Sequence, residues 1–147
     1  GLFSVPKQSI YNVGKFGVKA FTESLSLEME MTESPVEVYC VFPGHIGTNI
    51  YSSSRFKSFE ADDAGAAIFG ANASTIEEAG TQFKQNAPSS PEFAAKTILK
   101  NMKKKNKRIL IGFDAKFYDL MSRLFPRNFL KIIWILPFFR NLFKPHK

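Results

Sequence analysis

From Ser9 to about Met31 the apolar residues Val13, Phe16, Val18, Phe21, Leu25 and Leu27 recur at near-helical spacing, and Ser34-Pro35 ends the pattern. The residue before a proline avoids helical backbone, so one long helix must stop here and the chain must change element. The next segment, Val36-Glu37-Val38-Tyr39-Cys40-Val41-Phe42, is short, apolar and β-branched, and reads as a buried strand closed by Pro43-Gly44. Helix, strand and Pro-Gly loop in that order are parts of an α/β fold.

Within the helix, Tyr11 and Lys15 stand four apart, and residues i and i+4 share a face. A lysine ammonium close to a phenol favours the ionised form of the phenol, which titrates near ~10 on its own. Tyr11 is therefore a candidate proton donor or acceptor. The spacing alone is common; its place just ahead of the strand and the Pro-Gly loop gives it weight.

The stretch from Ser9 to Leu25, SIYNVGKFGVKAFTESL, together with Phe42-Pro43-Gly44-His45-Ile46-Gly47-Thr48, resembles the short-chain dehydrogenase/reductase family over about residues 1 to 60. The resemblance implies the C-terminal part of a doubly wound, Rossmann-type parallel sheet, with NAD or NADP as cofactor. It gives Tyr11 the role of catalytic acid/base, and Lys15 that of lowering the tyrosine pKa and holding the nicotinamide ribose. It places Pro43, Gly44, Ile46 and Thr48 in a loop beside the nicotinamide, with backbone groups at Ile46 and the hydroxyl of Thr48 reaching the carboxamide or phosphates.

The family's glycine-rich phosphate turn, TGxxxGxG, has no match in the 147 residues. The catalytic serine implied by the resemblance falls before Gly1, as does the asparagine of the proton relay; Ser4 and Ser9 lie too close to Tyr11 to take the serine's place. The expectation is the C-terminal half of a longer oxidoreductase, inactive alone, that interconverts alcohols with ketones or aldehydes. The alternative is a non-catalytic interaction or membrane-associated module. The choice between NAD and NADP belongs to residues of the absent half.

Residues 49 to 90 are rich in Ser, Ala, Gly and Asn, and read as a mobile segment. By resemblance this is the substrate-binding loop with one or two short helices, with Tyr51, Phe56, Phe59, Ile68 and Phe69 as candidates for an apolar pocket. Ser90-Pro91-Glu92 is a helix start, with serine as cap and proline in the first turn, and Phe93, Ala94, Ile98, Leu99 and Met102 are expected on the buried face. The run Lys103-Lys104-Lys105-Asn106-Lys107-Arg108 reads as a solvated helix end, and Ile109-Leu110-Ile111-Gly112 as the last parallel strand.

Residues 1 to 115 are expected to form the Rossmann half and 116 to 147 an amphipathic extension. The net charge of +7 is concentrated there, since residues 1 to 115 carry thirteen basic and twelve acidic side chains and residues 116 to 147 seven and one. Aromatic and leucine-rich segments interleaved with Arg and Lys can lie in a membrane interface, or fold over a substrate pocket or a dimer partner. Pro137 and the flanking Lys131 and Arg140 argue against a spanning helix. Either role of the extension suggests a lipophilic small-molecule substrate.

A homodimer through the Ser9–Met31 helix is implied by the resemblance. No zinc spacing or nucleic-acid motif accompanies the basic charge, so nucleic acid is not an expected partner. The two histidines, His45 and His146, lack ligand-spaced partners, and no metal is expected. The single cysteine, Cys40, reads as a small buried hydrophobe, and fits a reducing, cytoplasmic setting with the extension peripheral on a membrane.

Overall fold

The computed structural model describes residues 1–4, 8–53 and 75–135. Among the described residues eight elements succeed one another: α1 (Ser9–Met31), β1 (Cys40–Pro43), α2 (Ile50–Ser53), α3 (Ile76–Gln85), α4 (Pro91–Lys103), β2 (Arg108–Ile111), α5 (Gly112–Leu124) and α6 (Phe129–Ile135). The chain is thus α/β, and its two strands pair in parallel with Cys40 opposite Arg108 and Pro43 opposite Ile111. Parallel strands need a long crossover, which helices α2 to α4 supply.

Paired residues of a parallel ladder point to the same face. One face carries Val41, Ile109 and Ile111, and α4 packs on it through Ala94 and Ile98, with Tyr39 and Ile46 at the margin. Ile109 and Ile111 are the largest fully buried side chains, each worth about 1.5–3 kcal/mol of burial. From the other face Arg108 reaches Asp119 of α5 at 2.6 Å and Glu23 of α1 at 3.5 Å, with its guanidinium 4.2 Å from the centre of the Phe42 ring. Helices therefore cover both faces of the sheet.

α1 matches its expected bounds, yet none of its residues is buried. Ile10 is 90 % exposed and Phe21 68 %, because the short β1 offers too little surface to cover an amphipathic helix of 23 residues. The first strand is also shorter than the Val36–Phe42 run. Before Cys40 that segment has no strand partner; there Glu37 pairs with Lys105, and the Tyr39 hydroxyl reaches the Met102 carbonyl at 3.1 Å. Cys40 itself is only half-buried.

Ser90 caps α4, accepting the Phe93 N–H at 3.2 Å, with Pro91 in the first turn. Of the face expected to be buried, only Ala94 and Ile98 are covered. Phe93, Leu99 and Met102 are exposed, since a two-stranded sheet is narrower than a helix face five residues wide. The basic run is exposed from Lys103 to Asn106 as expected, while its last two cations are partly covered and paired, Lys107 with Glu30 and Arg108 with Asp119. Lys105 turns the chain in the left-handed region (φ 55°), and β2 starts at Arg108 rather than Ile109.

Of the Ser/Ala-rich segment, α2 and α3 are described. Thr75 caps α3 by accepting the Glu78 N–H at 3.2 Å, and Glu77 and Glu78 sit in the dipole-favoured first turn. Phe56, Phe59, Ile68 and Phe69 lie outside the described residues, as does the side chain of Tyr51. α5 runs across the 115/116 position, and α6 folds back: Phe129 and Ile133 are buried against Phe3, Tyr118 and Met121. Among the described residues no helix is long and apolar enough to cross a membrane.

Candidate active site

Tyr11 lies in the first turn of α1, where Gln8 provides no side-chain cap and its carbonyl accepts the Asn12 N–H at 2.8 Å. The i, i+4 geometry brings the Lys15 ammonium to 5.3 Å from the centre of the Tyr11 ring. Both side chains are exposed, Tyr11 by 59 %, and Lys15 forms no ion pair with a carboxylate among the described residues.

The second part of the site is the loop Pro43–Thr48, at the carboxyl end of β1, the end of a parallel strand where α/β folds place ligands. The Gly44 N–H continues the ladder to the Ile111 carbonyl at 2.8 Å. The His45 N–H donates to Asp114 Oδ2 at 2.6 Å. Ile46 bridges to Ser89, with the Gly47 N–H on the Ser89 carbonyl at 3.0 Å, and the Thr48 N–H turns back to the Ile46 carbonyl at 2.8 Å. The Ile46 N–H faces away from Ser89 and donates to no described residue, and Thr48 is exposed, so a donor and a hydroxyl remain open on one short stretch. Such a pair can donate hydrogen bonds to the oxygens of a ligand.

The His45 ring lies over Phe83, centroids 4.3 Å apart. Burial pushes its pKa down, opposed by a hydrogen bond to the Phe83 backbone and by the Asp114 charge. Among the described residues no cluster of His, Cys, Asp and Glu could hold a metal.

The structure thus brings Tyr11 to Lys15, and knits Pro43, Gly44, Ile46 and Thr48 into one loop. No hydrogen bond joins the two parts among the described residues. Sequence reasoning missed Asp114 and Ser89, which hold the loop. The signal for them was that a glycine comes after each strand, Gly44 and Gly112, with an aspartate two residues past the second.

The exposed Tyr-Lys pair on α1 thus leads into a parallel strand with a Pro-Gly loop at its carboxyl end. Residues 1–58 match the family model for short chain dehydrogenases, and this match, with the relatives below, supports membership of the short-chain dehydrogenase/reductase family. The chain is similar to SadH of Mycobacterium tuberculosis, whose name proposes an oxidoreductase; in strains CDC 1551 and H37Rv alike the identity is 34 % over 133 residues. That alignment covers 90 % of this chain and 44 % of the relative, so the chain spans less than half the length of the curated relatives it matches. No solved structure gives a significant match.

Proposed function

We propose that the chain is the C-terminal part of an NAD(P)-dependent oxidoreductase, built on a doubly wound parallel sheet, that interconverts a lipophilic alcohol with its ketone or aldehyde. The observation that carries this reading is the Lys15 ammonium set against the Tyr11 ring inside the segment that bears the family match. The cofactor, when bound, supplies or accepts the hydride. Tyr11 gives the proton to the substrate oxygen in reduction and takes it in oxidation, and Lys15 stabilises the charge that develops on the phenol oxygen and holds the ribose. The Ile46 N–H and the Thr48 hydroxyl meet the carboxamide or phosphates, and Pro43 and Gly44 fix where the loop begins.

The lipophilic substrate is suggested by the apolar, basic composition of the extension, residues 116–147. The test is binding of NADH and NADPH, and turnover of alcohols, by this chain and by a form extended upstream of Gly1. Binding and turnover by the extended form, with turnover abolished by Tyr11→Phe, would support the reading. Full turnover by Tyr11→Phe would overturn the acid/base assignment.

Two association surfaces belong to the same proposal. The exposed face of α1, with Ile10, Val13, Val18 and Phe21, suits a homodimer, which light scattering of the extended form would detect. A second reading, a membrane-associated module with a cytoplasmic, peripheral location, is favoured by the stripe Phe113, Phe117, Leu120 and Leu124 on α5. The exposed cations Lys116, Arg123, Arg127 and Lys131 accompany it, in the proposed extension of residues 116–147. Failure to bind anionic liposomes would remove that reading.

A further inference from the structure

We propose that Asp114 is a positioning residue, latching the Pro43–Thr48 loop to the start of α5 from a slot that two glycines clear. The ladder sets Pro43 opposite Ile111, so Gly44 and Gly112 emerge together at the ends of the paired strands. Gly112 turns the chain at φ 90°, in the region that favours glycine, and so starts α5 with Asp114 in its first turn. There the carboxylate lies back over both strand ends. A Cβ added to Gly44 or to Gly112 would fall inside the Asp114 carboxylate. Gly44 has no positive φ, so occupied space rather than backbone conformation is what requires glycine at this position.

The carboxylate uses the slot by accepting the His45 N–H at 2.6 Å. A short bond from a backbone N–H to a carboxyl oxygen in the first turn of a helix holds its donor in place, and this one fixes the peptide just before Ile46. Asp114 therefore decides where the open Ile46 N–H and the Thr48 side chain stand. It does so through the backbone, without touching a ligand itself. The consequence for cofactor binding rests on the dehydrogenase reading; the latch rests on geometry alone.

The experiment is a double-mutant cycle in the form extended upstream of Gly1, read by denaturant unfolding and by yield of folded protein. Gly44→Ala should lower stability sharply while Asp114 is present and far less beside Asp114→Ala. An equal cost of Gly44→Ala with and without the Asp114 carboxylate would overturn the slot. In parallel, Asp114→Ala should raise the KM for cofactor about tenfold with kcat largely kept, and Asp114→Asn, which retains an acceptor for the His45 N–H, should restore most of it. A cofactor KM unchanged in Asp114→Ala would overturn the positioning role. If Tyr11→Phe kept full turnover, the acid/base reading would fail while the coupling between positions 44 and 114 could still be measured by unfolding.

Discussion

Phe3 and Phe129 meet edge to face, ring centroids 5.5 Å apart at 75°, joining the segment just ahead of Tyr11 to the start of α6. Tyr118 closes the group at 4.9 Å from Phe3. Aromatic pairs of this geometry add about 0.5–1.5 kcal/mol to simple burial, so this part of the extension belongs to the packed structure rather than to a free tail.

Phe129→Ala should therefore destabilise the protein by about 3–5 kcal/mol in denaturant unfolding, the cost of emptying a buried aromatic site. Leu130→Ala, at a neighbouring exposed position, should change stability by less than about 0.5 kcal/mol. Equal effects would mean that α6 does not pack on Phe3.

Tyr11→Phe removes one hydroxyl from an exposed side chain, and should leave the unfolding midpoint where it was while lowering kcat about 10²–10⁴-fold in the extended form. Lys15→Met should lower kcat and raise the KM for cofactor together, since the proposed lysine serves both proton transfer and the ribose.

Burial holds His45 below the ordinary imidazole value, against the pull of the Phe83 backbone and Asp114. As pH falls, the unfolded chain takes up this proton before the folded one does. The contribution is thus fully present above about 6.5, is lost progressively as pH drops below it, and levels off beneath the folded-state pKa. His45→Gln should flatten stability against pH below about 6.5, measured by urea unfolding at each pH.

Arg108 is the hub of a three-way contact: its guanidinium lies over Phe42 while its fork binds Asp119 and reaches Glu23. Lysine has neither the planar fork nor the stacking face, so Arg108→Lys should cost about 1–2 kcal/mol by denaturant unfolding. Burial, the largest influence on the Asp119 carboxyl, pushes its pKa up, but the hydrogen bonds from Arg108 and Arg123 outweigh it and hold the group below its ordinary value. This contribution is present above about 4 and lost as pH falls further, so Asp119→Asn should lessen acid sensitivity there.

The sequence by itself determined the local elements and the chemistry-bearing pair. Helix α1 ends where Pro35 forbids its continuation, α4 begins where Ser90 and Pro91 cap it, and Tyr11 meets Lys15 because four residues make about one helical turn. Each of these is fixed within a few residues of chain. Only the tertiary structure decided which faces are covered, why Gly44 must be a glycine and what holds the loop beside it. Asp114 reaches His45, 69 residues away in sequence, because two strands pair in parallel and bring their ends together. Apolar periodicity shows that a face needs cover but not what covers it: α1 stays open while Phe129, in a segment that reads equally well as membrane-facing, is buried against Phe3.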